Sequence, residues 1–155
     1  MIGWVGLLIL QPIVLFWHEL GHSILAALLT RGPVGIELGE SRKGLALGRF
    51  SLRATPTART ARTVYEPRRL GRWGRTAVAI GGPLATVLGA WIGGAVALEA
   101  MQPLWFRFFG VVWAWAHLRV LLFTCFPAPG GGDAARGADW RDLRGIWASE
   151  EGSGV

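Results

Sequence analysis

Cysteine is almost missing from this chain. The single Cys125 excludes an internal disulfide and a cysteine-built structural zinc site, and its apolar neighbours read it as a buried, inert thiol. Charge is also scarce, at 17% of residues against about 25% in a typical soluble domain. Acidic residues number 10 against 16 basic ones, for a net charge of +6. The basic residues do not interleave with aromatics, which argues against a base-stacking nucleic-acid surface. No basic stretch precedes the first apolar run, and that run is too long for a leader, so the N-terminus reads as a membrane span and not a cleavable signal. Repeats and a second domain are absent from the pattern. What the chain has is apolar bulk: 52% hydrophobic residues, nine tryptophans and a mean hydropathy of +0.39 over 155 residues. One domain, 1–155, of a membrane protein with interfacial aromatics accounts for this.

The apolar runs predict an α-helical multi-pass membrane protein. Its expected core is three transmembrane helices, over 2–29, 76–98 and 104–126, each able to span ~30 Å of hydrocarbon. Pro12 is a possible kink in the first, and Gly32-Pro33 stops it. Between the first two helices lies a loop, 31–75. Val34, Ile36 and Leu38 alternate with small or charged residues, and after Ser41–Gly44 a second alternating run has Leu45, Leu47 and Arg49 on one face with Ala46, Gly48, Phe50 and Leu52 on the other. The expectation is a small β-hairpin of two strands, with Ala54 to Arg62 an unassigned connection. In the second helix Gly81, Ala85, Gly89, Gly93 and Ala97 recur every four residues, a smooth ridge for close helix packing. Pro127 to Gly137 is a proline- and glycine-rich loop. Residues 139–149 place Trp140, Leu143, Ile146 and Trp147 on one face, an amphipathic helix lying on the membrane surface.

One stretch inside the first apolar run carries chemistry: His18-Glu19-Leu20-Gly21-His22. Positions i and i+4 share a helix face, so both imidazoles can reach one metal ion, and Glu19 can take a proton from a water held there. The competing reading, two packed core histidines, is weakened because such groups are costly in a lipid-length helix unless used. A catalytic zinc, one ion, needs a third protein ligand. Asp133 is the expected one, from its position and the glycines before it, with His117 as the alternative. Arg119 lies within the third span, where it either holds a substrate carbonyl or carboxylate or snorkels to the surface.

The 31–75 loop carries eleven arginines and lysines against three glutamates. The positive-inside rule puts that loop in the cytosol, the N-terminus outside and the C-terminal tail inside. His22 and Asp133 then lie toward the same side, and Pro127 to Gly132 can fold back to bring them together.

The histidine-glutamate motif in the first span, the Gly82-Pro83 pair in the second and the proline-glycine-aspartate segment after the third together resemble the site-2 protease family, intramembrane zinc metalloproteases. The resemblance covers nearly the whole chain, as a minimal core without PDZ or CBS segments. It implies His18, His22 and Asp133 as zinc ligands and Glu19 as catalytic base. The family's Gly-Pro-x-x-Asn is here Gly82-Pro83-Leu84-Ala85-Thr86. Thr124 stands near the position of its usual asparagine, and Ala134 follows Asp133 where glycine is usual, with one residue of extra spacing. Thr86 and Thr124, with Arg119, are thus the candidates for positioning substrate.

The expected function is zinc-dependent hydrolysis of peptide bonds in or near transmembrane segments of membrane-protein or peptide substrates, in the cell membrane. An unwound substrate could pair as a strand with the Val34–Leu52 hairpin. The alternative, motivated by the three departures, is an inactive family member acting as a membrane-embedded binding or regulatory protein.

Overall fold

A computed structural model of the protein describes residues 2–40, 44–55, 58, 60–126 and 138–148. Helix α1, Ile2–Leu29, is continuous through Pro12. Helix α2, Arg72–Leu98, starts four residues before the expected Thr76 because Gly71, in extended geometry, is the cap. Helix α3, Leu104–Cys125, stops at Phe126, which is extended (φ −108°, ψ 123°) as a residue before proline prefers to be. Helix α4, Ala138–Ala148, is the short amphipathic one.

Among the described residues, Leu10–Leu29, Arg72–Leu98 and Leu104–Cys125 are long and apolar enough to cross a membrane. Their outward faces are apolar and their polar groups are enclosed. Ile24, Leu28, Trp91, Leu104, Trp105 and Leu122 face outward, while His18, Glu19, His22, Thr86 and His117 are buried.

Helix α2 is the hinge of the packing, and its small-residue ridge serves two neighbours. At the α1 crossing, a Cβ on Gly21 would lie 2.2 Å from the Gly81 carbonyl oxygen, so both helices need glycine there. Lower on the same ridge, Gly93 meets Gly110 of α3, with a Cβ on either falling 2.7–2.8 Å from the other's backbone. Two indoles tie the bundle crosswise: Trp17 Nε1–H donates to the Ala85 carbonyl (2.6 Å) and Trp113 Nε1–H to that of Gly89 (3.0 Å). Two arginines close helix ends. Arg49 donates to the Ala27 and Thr30 carbonyls at the end of α1, each at 2.7 Å, and Arg107 Nε donates to Ala97 near the end of α2.

The segment between α1 and α2 is larger than the expected hairpin. It is a four-stranded sheet of β1 (Val34–Leu38), β2 (Gly44–Leu47), β3 (Phe50–Ala54) and β4 (Ala61–Val64), in the order β2-β3-β1-β4. The run read as one strand over 45–52 is two, because Gly48 at φ 59° turns the chain back on itself. The hairpin is therefore β2–β3, and β1 pairs with β3 in parallel, Val34 opposite Phe50. Strand β4, which begins at the end of the unassigned 54–62 connection, pairs antiparallel with β1, Ile36 opposite Thr63. One sheet face packs on α1, with Ile36, Leu38 and Ala58 against Leu15, Phe16 and Leu20. This brings β4 alongside the His-Glu-His turn.

Candidate metal centre

His18 and His22 project from one face of α1 toward α2, and each spends its Nδ1 on α2. His18 Nδ1 is 2.7 Å from Thr86 Oγ1, which donates its own proton to the Gly82 carbonyl at 3.0 Å. The hydroxyl must therefore accept, and the proton sits on His18 Nδ1. His22 Nδ1 is 2.7 Å from the Val78 carbonyl oxygen, which can only accept, so it too carries a proton. The Gly82 N–H, 3.2 Å from the same nitrogen, is a neighbour and not its donor. Both Nε2 atoms are left with a lone pair, the form in which imidazole binds metal.

Those two Nε2 atoms lie 3.1 Å apart. The Asp139 carboxylate from α4 closes the triangle, with Oδ2 3.2 Å from His18 Nε2 and Oδ1 3.4 Å from His22 Nε2. Asp139 Oδ2 is buried without a hydrogen-bond donor. Three electron-rich atoms facing one another in a site of low exposure repel unless a cation lies between them. Bonds of ~2.0–2.2 Å to a tetrahedral ion imply ligand–ligand edges of about 3.3–3.6 Å, close to the distances here. The residues therefore fit a bound metal ion. His18, Glu19 and His22 are all buried, and their ligand atoms lie within 4.8 Å of one another.

Glycine is required where α2 passes the imidazoles. A Cβ on Gly82 would sit 2.1 Å from His22 Nε2 and 2.6 Å from His18 Nε2, inside the space a metal needs. Glu19 is held from the other side. Thr63 on β4 donates to Glu19 Oε2 at 2.8 Å, and Ser23 Oγ lies 3.1 Å from the same threonine hydroxyl.

A cleft of about 720 Å³ opens onto this cluster, lined by Glu19, His22, Thr63, Arg75, Asp139 and Asp142 among others. Strand β4 forms one wall and is an edge strand. Gly39 N–H donates to the Thr60 carbonyl, which makes Thr60, Arg62 and Val64 the residues bonded to β1. The amides of Ala61 and Thr63 then point to the free edge. Thr63 thus offers its backbone to the cleft while its side chain clamps Glu19. The edge beside the motif belongs to β4 and not to the Val34–Leu52 region expected to receive a strand.

Asp139 reaches the site because α4 docks on the start of α2. The Arg72 guanidinium stacks 4.1 Å from the Trp147 ring centre, and Trp73 meets Trp147 edge-on at 5.2 Å. The expected ligand Asp133 lies outside the described residues. His117 is fully buried, but its Nδ1 bonds the Trp113 carbonyl of its own helix and its Nε2 faces Gly89, so it does not join the cluster. Thr86 is also fully buried and orients His18. Thr124 lies beside Cys125, and Arg119 covers the Phe123 ring at 5.7 Å; no hydrogen bond or ion pair joins either to the cluster among the described residues. The residues missed in the sequence are Asp139, Thr63 and Arg75. Asp139 had a signal, an acidic residue opening a helix whose apolar stripe needs a partner. Thr63 had none, since its contact depends on the sheet.

Thr86 gives a direct test of this geometry. Thr86→Val keeps the shape and removes the acceptor of His18 Nδ1–H, leaving a buried donor unpaired. Zinc affinity is expected to fall ~10–100-fold, as for loss of other partners that orient metal-binding histidines. Competition with a chromogenic chelator measures it, with unchanged helical circular dichroism as the control for folding.

Comparison of the chain with family models, with curated proteins and with solved structures gives no match, so the resemblance to site-2 proteases rests on the residues themselves.

Proposed function

We propose that the chain is an intramembrane zinc metalloendopeptidase. Its three spans would hold the N-terminus outside and the basic loop and tail in the cytosol, with substrate entering from the membrane. The observation that carries this reading is the convergence of His18 Nε2, His22 Nε2 and the Asp139 carboxylate beside Glu19, at the floor of a cleft walled by an open strand edge.

A zinc ion on His18, His22 and Asp139 would lower the pKa of a water to near 7 and polarise the scissile carbonyl. The chain's own residues supply the rest. Thr63 fixes Glu19, which accepts the proton that water loses as its oxygen attacks the peptide carbon. Glu19 then returns that proton to the departing nitrogen as the C–N bond breaks, so acid and amine leave and the carboxylate is regenerated. A transmembrane helix hides its carbonyls in its own hydrogen bonds. The free amides of Ala61 and Thr63 offer partners to an unwound, extended segment, holding it across the site by strand addition.

The test is metal dependence. Purified protein in proteoliposomes with a panel of single-span substrates is expected to cleave at least one of them. Cleavage should stop on adding 1,10-phenanthroline and return with one equivalent of zinc. Tightly bound zinc with no cleavage of any substrate would overturn the proposal and favour the binding or regulatory alternative.

A further inference from the structure

Arg75 is an unexplained charge. It is partly buried in the first turn of α2, its Nε is fully enclosed, and that atom has no hydrogen-bond partner. No ion pair neutralises it among the described residues, whereas nearby arginines are matched: Arg53 and Arg62 on Glu37, Arg69 on Glu66. Asp142 lines the same cleft without pairing to Arg75. A partly buried guanidinium in a cleft wall without an acidic partner is costly, and an anionic group entering the cleft would offset that cost.

Its position says where that ligand would lie. Arg75, Val78, Ala79 and Gly82 share one face of α2, and the first three line the cleft that holds Glu19 and His22. Val78 carries the His22 bond and Gly82 lies against both imidazoles. Seven helical residues separate Arg75 from Gly82, or about 10 Å along the axis at 1.5 Å per residue. An extended peptide covers that span in about three residues. Arg75 also acts on the cleft wall: burial and the Asp142 charge push the Tyr65 phenol up, and Arg75 draws it back.

We propose that Arg75 is a specificity subsite for a carboxylate side chain of the substrate, a Glu or Asp about three residues from the bond to be cut. The planar guanidinium takes a carboxylate through paired N–H donors at its cleft-facing end. The subsite rests on the peptidase reading for its distance from the scissile bond, but its charge preference can be read without turnover.

The experiment therefore measures binding and cleavage separately. Dansyl-labelled apolar peptides, identical except for one Glu, Gln or Lys moved stepwise along the chain, are titrated into zinc-loaded full-length Glu19→Gln protein in detergent. Glu is expected to bind ~10-fold or more tighter than Gln at one position, and Lys weaker than both, as for a hydrogen bond to a charged group. Adding Arg75→Gln should erase the preference while zinc stoichiometry stays unchanged, and Arg75→Glu should transfer it to the Lys peptide. In the Glu19 form, kcat/KM should follow the same ranking. No Glu preference at any position, no peptide binding, or a preference that survives Arg75→Gln would overturn the subsite. A charge preference in binding with no cleavage by the Glu19 protein would keep the subsite and remove the peptidase.

Discussion

An Asp139→Ala protein is expected to come off the column without metal, its zinc affinity reduced by more than ~100-fold, beyond the loss seen for residues that only orient ligands. The argument is geometric. Both imidazoles are fixed by α2 through Thr86 and Val78, so their lone pairs meet whether or not α4 is present. Two neutral nitrogens make a weak site, and the carboxylate supplies the third donor and the negative charge that offsets a divalent ion. Among the described residues, Asp139 is the acid within 3.2–3.4 Å of both. Asp133→Ala is the informative control, because that is the ligand expected from the sequence. It should bind zinc like the unmodified chain, as measured by metal per chain and by the visible spectrum of the cobalt-substituted protein. Loss of metal in Asp133→Ala with retention in Asp139→Ala would reverse the assignment.

The two aspartates show what a linear reading can reach. The i, i+4 histidines and the adjacent glutamate needed only helical periodicity, and the three long helices needed only hydropathy. Both are local properties. Asp133 is attractive in the sequence because glycines before it permit a return into the bundle, and it lies outside the described residues. What brings Asp139 in is docking between distant elements, Trp147 against Trp73 and Arg72, which no spacing rule encodes. The sheet shows the same limit. Ala61-Arg62-Thr63-Val64 looks like polar connection because only Ala61 and Thr63 turn toward α1, a four-residue alternation too short to read. The 45–52 run kept its alternation through Gly48, so its division depended on one backbone conformation.

The polar residues of the bundle follow one physical rule. In an apolar surround a nitrogen or hydroxyl needs a partner, and for His22, Thr86, Trp17 and Trp113 the partners are α2's own carbonyls at Val78, Gly82, Ala85 and Gly89. Helix α2 thus serves as a rack of acceptors, and glycines let the donors come close. Thr86 fits this scheme: a residue suspected of touching substrate is consumed in fixing a tautomer. Asp139 and Arg75, which line the cleft and each keep a buried polar atom without a protein partner, are the groups proposed to meet metal and substrate.

Glu19→Gln is expected to separate chemistry from metal binding. Glutamine has the same shape, and its carbonyl oxygen can still accept the Thr63 hydroxyl that now bonds Oε2 at 2.8 Å. The site should therefore keep its geometry and its zinc. An amide cannot take a proton from water, so the group proposed to activate the nucleophile and return the proton to the amine is lost. General acid–base catalysis is worth ~10²–10⁴ in rate, and kcat should fall by about that factor with KM little changed. Glu19 lies within the same 4.8 Å group as the imidazoles, so a role as ligand is the rival explanation of its burial. The two roles give different outcomes. Were Glu19 a ligand, zinc would be lost with the activity and high zinc would restore part of it. As a base, the substituted protein retains one zinc per chain, binds peptide, and stays inactive at any zinc concentration.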